Sequence, residues 1–86
     1  MANHKQAIKR HRQSVVRGER NRFYVSTART YLKRARTALA DGDRDGATSA
    51  VSAATAYLDH IAGKGIIHRN RAGRIKSRLT RQLNAL

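Results

Sequence analysis

An all-α fold, a three-helix bundle prolonged by a long basic N-terminal helical extension, is predicted by three features of the sequence. The chain has no proline and is rich in alanine and arginine, so helix propensity is high throughout. Apolar residues recur with a period of 3.6 in three separate segments. Two short glycine-bearing stretches, "ADGDRDG" and "GKG", divide those segments, and connections this short make neighbouring helices antiparallel.

The first helix is marked by Tyr24, Ala28, Tyr31, Ala35 and Leu39, stepping by four or three, with Leu32 and Ala38 on the same side. It should stop where Gly42 can adopt the left-handed conformation that closes a helix. Asp43 or Asp45 can then cap the second helix and favour its positive dipole end. That second helix carries Ala47, Ala50, Val51, Ala54, Leu58 and Ile61. A stripe made largely of alanine lets helices approach closely, and the helix ends at Gly63 to Gly65.

The third helix is predicted from about His68 to Leu83. Ala72, Ile75, Leu79, Leu83 and Leu86 fall within about 80° of arc at 100° per residue. Arg71, Arg74, Arg78 and Arg81 fall on the other side, a rail of guanidinium groups opposite the core. Upstream of Phe23 the pattern changes: Ile8, Val15 and Val16 are the only large apolar residues, and Lys5, Lys9, Arg10, Arg12, Arg17, Arg20 and Arg22 point all round a helix. Nothing there can form a core. The expected organisation is one domain, residues 1–86, with a basic arm over 1–22 and the bundle over 23–86. The arm should fray when free and become ordered against phosphate on several sides.

Charge bears on partners. Nineteen Lys and Arg against five Asp and Glu give a formal charge of +14, with a pI near 11.8. The excess is segregated: Glu19 is the sole acid before Asp41, the middle holds Asp41, Asp43, Asp45 and Asp59, and no acid follows Asp59. Such a chain repels itself, whereas a polyanion neutralises it and gains counterion-release entropy. Nucleic acid is the leading partner. Arginine dominates, and guanidinium can fork onto two phosphate oxygens and stack on a base, which suits structured RNA.

Other functional classes find little support. The chain has no cysteine, so neither disulfides nor a Cys-based zinc site can stabilise it. "DGDRDG" matches the opening of a calcium loop at Asp41, Asp43, Asp45 and Gly46, but position twelve is Ser52 where a bidentate Glu is required. His4 and His11 lie seven apart among cations that repel a metal. Few carboxylates lie outside the turn, no Ser has a recognisable His and acid arrangement, and "GKG" lacks the order of a phosphate-binding P-loop, so no enzymatic activity, cofactor or small-molecule substrate is expected. Tyr24, Tyr31 and Tyr57 read as core or core-edge residues rather than base-stacking platforms. No apolar run approaches the ~20 residues needed to cross a bilayer, the arm lacks an apolar face for lying on one, and the start has no apolar segment after its cations. A soluble, cytoplasmic protein with a small core is expected.

Composition leaves a nucleoid-type DNA binder and a ribosomal protein both open. The stretch "KGIIHRNRAGRIKSRL", Lys64 to Leu79, resembles the signature of the bacterial small-subunit ribosomal protein twenty family. The resemblance covers essentially the whole chain: "MANHKQAIKRHRQS" resembles the family's beginning, "RTYLKRARTAL" its paired-cation segment, Gly42 and Asp43 its turn, and Leu58 and Asp59 its Ile-Asp position. The sequence departs from the pattern with arginine for lysine at Arg69 and Arg71, and with Gly73 where alanine is common. The resemblance implies a monomeric structural protein with a long first helix, bound directly to 16S ribosomal RNA early in small-subunit assembly and stapling 5′-domain helices to the long penultimate helix of the 3′ minor domain. The residues expected to meet RNA are the seven arm cations above together with Lys64, His68, Arg69, Asn70, Arg71, Arg74, Lys76, Arg78 and Arg81. Under that reading Gly63 and Gly65 reverse the chain, Ile66 and Ile67 plug the bundle's open end, and His68 and Asn70 offer donors.

Overall fold

The computed structural model describes residues 2–86; Met1, the first residue of the expected arm, lies outside them. Its fold is all-α, with three helices in the order α1 (Ala2–Asp41), α2 (Arg44–Gly63) and α3 (Arg69–Asn84). At 1.5 Å per residue, the 40 residues of α1 account for the long dimension of a molecule measuring 62 × 20 × 14 Å. Central α2 packs on both neighbours, while α1 and α3 meet over a shorter stretch.

The stripes read from the sequence form the core. Ala28, Leu58, Ile61 and Ala72 make one buried cluster, against which Tyr24, Tyr57, Ile66 and Ile67 pack. Ala35, Val51, Ala54 and Leu79 make a second, flanked by Leu39 and Leu83. Leu32 and Ile75 join the two. Each tyrosine is half-buried, and Tyr31 stacks on Tyr57 across the α1–α2 seam at 4.9 Å. The isoleucines after "GKG" thus pack against one end of the bundle.

Both turns rest on glycines with positive φ, 73° at Gly42 and 77° at Gly65. At the second, Ile66 N–H donates to the Ile61 carbonyl and Gly65 N–H to the Ala62 carbonyl, each at 3.0 Å. This double closure satisfies carbonyls left open at the end of α2, and Ile66 packs against the buried cluster that holds Ile61.

Two local expectations are corrected. Asp43 occupies the N-cap position of α2, but its carboxylate accepts no hydrogen bond there, so its help to the helix comes through charge, shared with Asp45 in the first turn. Leu86 lies outside the core, 43% exposed. The apolar period carries it to the core face only if the helix continues, and α3 ends at Asn84.

α1 runs unbroken through position 22, yet its two halves differ in support. From His4 to Asn21 every residue except Gly18 is exposed. This half also opposes its own dipole, because the first turn has no acid and His4 and Lys5 stand at the positive end. Lys5 and Lys9, Lys9 and Arg12, and Arg17 and Arg20 are like-charge neighbours at four- and three-residue spacings.

Candidate nucleic-acid interface

The basic residues fall into three groups. The first is the arm, where Lys5, Lys9, Arg10, Arg12 and Arg22 are exposed around α1. The second lies where the arm meets the bundle. Here Arg17 and Arg20 share a cleft with Lys64 from the α2–α3 connection, walled by Asn21, Tyr24, Gly65 and Ile66. The Lys64 ammonium sits 5.5 Å from the centre of the Tyr24 ring, a cation–π contact that aims the long side chain back toward α1.

The third group is the outward face of α3, a shallow surface lined by Arg69, Asn70, Gly73, Arg74, Ser77, Arg78 and Arg81. Ser77 Oγ accepts from Arg81 Nη2 at 3.0 Å, which helps hold that guanidinium along the face. His68 caps the helix: its Nδ1 accepts from the Asn70 backbone N–H at 3.1 Å. The expectation of a donor therefore holds only for Nε2, since a neutral imidazole accepting at one nitrogen carries its proton on the other.

Two expected contacts are placed differently. Lys76 is half-buried and spans from α3 to α2, its Nζ 2.7 Å from Asp59 Oδ1; it ties the helices together rather than joining the outward cations. Arg71 leaves the rail for the groove between α1 and α3, where it stands with Arg29 beside Leu32, Ile67 and Ile75. Arg29, Lys33, Arg34 and Arg36 are exposed cations on the bundle half of α1, outside the set expected to meet RNA. Their signal in the sequence is the local charge excess, which the apolar stripe running through the same residues masks.

This arrangement offers guanidinium and ammonium donors on several sides of a narrow body. Among the described residues the cations meet one acid, in the Lys76–Asp59 pair, and no group of side chains is suited to holding a metal ion. No helix among them is long and apolar enough to cross a membrane.

Gly73 leaves the helix backbone bare in the middle of the rail, and a β-carbon there would meet nothing within 4 Å. Gly73→Ala should stabilise the helix by up to about 1 kcal/mol, raising the thermal midpoint by about 4–8 °C at this chain length. If RNA seats against this face, affinity for it should fall in the same variant, because a phosphate backbone lying against the bare helix at Gly73 would be pushed out. Unchanged affinity would mean that RNA touches only the ends of the rail side chains.

Comparison with known proteins agrees with the geometry. The family model described as "Ribosomal protein S20" matches residues 2–84. Similar relatives, each named "Small ribosomal subunit protein bS20", include those of Geotalea daltonii at 49% identity and Pelobacter propionicus at 46%, both covering 100% of this chain and 99% of the relative. That of Acinetobacter baumannii is 49% identical over 100% of this chain and 98% of its own length. Their shared name makes each of them a protein of the small ribosomal subunit. With the family model matching residues 2–84 and these relatives aligned over the whole chain, the chain belongs to the ribosomal protein S20 family.

Proposed function

We propose that this protein is a structural constituent of the small ribosomal subunit in the cytoplasm, binding 16S ribosomal RNA directly as a monomer and holding 5′-domain and 3′-minor-domain helices together. The observation that carries the reading is the spread of exposed cations from the arm, the α2–α3 connection and α3 over different sides of one narrow molecule. A single binding face would need one patch; a staple needs several. The alanine-rich core serves the same end by keeping the body narrow.

Assembly on this reading has an order. The bundle's basic side, already fixed by packing, docks first, and the arm becomes ordered between RNA helices as phosphates remove the like-charge repulsion along it. Circular dichroism checks this second step: the free protein should show less helix than its RNA complex, with the deficit absent from a chain lacking residues 1–22. An arm fully helical before RNA is added would refute coupled ordering.

The test of the function is binding to a 16S 5′-domain transcript, an equally structured unrelated RNA and duplex DNA across a salt series with magnesium. Nonspecific phosphate binding collapses as salt rises, so a preference for the ribosomal transcript that survives high salt identifies a shaped site. Equal affinities that fall together would leave a polycation and favour the nucleoid-type DNA-binding alternative.

A further inference from the structure

Phe23 is the most exposed large apolar side chain among the described residues, 66% exposed. Its neighbour Tyr24 takes the core-facing position, and the two rings meet only edge to face, 5.6 Å apart at 76°. At least one face of the Phe23 ring therefore lies open to solvent. Around it is a shallow hollow on the α1 face bordered by Glu19, Arg22, Thr27, Thr30 and Arg34.

The chemistry of this border is mixed in a particular way. The Thr27 hydroxyl donates to the Phe23 carbonyl at 2.9 Å and that of Thr30 to the Ser26 carbonyl at 3.2 Å. Their protons are engaged, so toward solvent these oxygens can only accept. Glu19, the sole acid before Asp41, stands one helical turn before Phe23. It takes part in no ion pair among the described residues although Arg22 is three positions on. An aromatic face, hydrogen-bond acceptors beside it and guanidinium groups on either flank complement the parts of one nucleotide: a π-surface, an amino-bearing edge and a phosphate.

We propose that Phe23 receives a single unpaired nucleobase of the bound RNA, stacked on its ring, with the base's amino edge turned to Glu19 and the adjoining phosphates between Arg22 and Arg34. The inference rests on the RNA-binding reading above and adds to it a point of base readout. Charge selects the occupant. A second copy of this chain brings another +14, and an acidic peptide brings no planar amino-bearing ring. Adenine, cytosine and guanine carry the amino group, and uracil does not.

The test uses the full chain with the 16S 5′-domain transcript, combining affinity, salt dependence and nucleotide-resolution chemical probing. Phe23→Ala and Phe23→Leu should each raise Kd about five- to a hundredfold, expose one unpaired nucleotide to the probe, and leave the salt slope and thermal midpoint unchanged. Phe23→Tyr should behave as the natural chain. Glu19→Ala should keep or raise overall affinity, because it removes a negative charge, yet lose discrimination when that nucleotide is changed to uracil. Wild-type affinity and protections in both Phe23→Ala and Phe23→Leu would overturn the proposal, as would a fall in thermal midpoint that tracks the loss of binding. Failure of the unaltered chain to prefer the ribosomal transcript would instead strike the underlying RNA reading.

Discussion

Arg17→Ala, Arg20→Ala and Lys64→Ala combined in one chain should lower affinity for 16S 5′-domain RNA by about two orders of magnitude near 0.15 M salt. The magnitude follows from counterion release. Each phosphate that is no longer neutralised reduces the slope of log affinity against log salt by about 0.9 on duplex nucleic acid, so removing three cations reduces it by nearly three and weakens binding accordingly. Stability should hardly change, because all three side chains are exposed. The main stabilising interaction removed is the cation–π pairing of Lys64 with Tyr24, about 0.5–1 kcal/mol at an exposed site. This cleft brings the arm together with the α2–α3 connection, and phosphate bound there would hold the arm in line with the bundle. Filter binding across a salt series is the measurement, with thermal melts as the control. A triple variant with an unchanged slope would show that phosphate does not enter the cleft.

That cleft is not legible in the sequence, although the bundle is. Helix stripes are local: Ala28, Ala35, Val51 and Leu79 announce their burial through spacing alone, and the glycines at 42 and 65 announce turns through backbone chemistry. Convergence is not local. Arg17 and Lys64 meet only because the α1–α2 hairpin has a particular register, which sequence spacing does not encode. The same limit explains Lys76, whose partner Asp59 lies on another helix and whose charge alone makes it resemble the outward cations of α3. Arg71 is misplaced by the helical wheel for a subtler reason. It lies on the polar side but nearest the apolar arc, and the proximity of α1 turns that border position into a groove wall. Phe23 escapes a reading of the stripe because Tyr24, one residue on and about 100° round the helix, satisfies the stripe by itself.

Ile61→Ala should be the most damaging single truncation in the bundle, costing about 2–5 kcal/mol of folding free energy. Ile61 is fully buried and is the largest side chain that is, and the reason one residue matters so much lies in the rest of the core. Ala28, Ala35, Ala47, Ala54 and Ala72 make up most of the buried apolar set; they permit close helix contact but each removes little surface from water. Among the described residues Val51, Leu58, Leu79 and Ile61 are the only larger buried ones, in a domain small enough to sit near the low end of the usual range of about 5–15 kcal/mol. Ile61 also belongs to the cluster against which Ile66 of the α2–α3 turn packs, and its carbonyl accepts the Ile66 N–H, so its truncation should loosen the connection carrying Lys64. Ile61→Val should cost only about 0.5–1.5 kcal/mol, making the pair a graded probe of packing. Thermal melts of the free protein should show the alanine variant partly unfolded at about 37 °C, given so small a margin. RNA should restore much of its helical signal, because a ligand that binds only the folded state stabilises it in proportion to the logarithm of its concentration over Kd. Cooperative melting of Ile61→Ala at the unaltered midpoint would show instead that the hydrophobic stripe on α2 is not what holds these helices together.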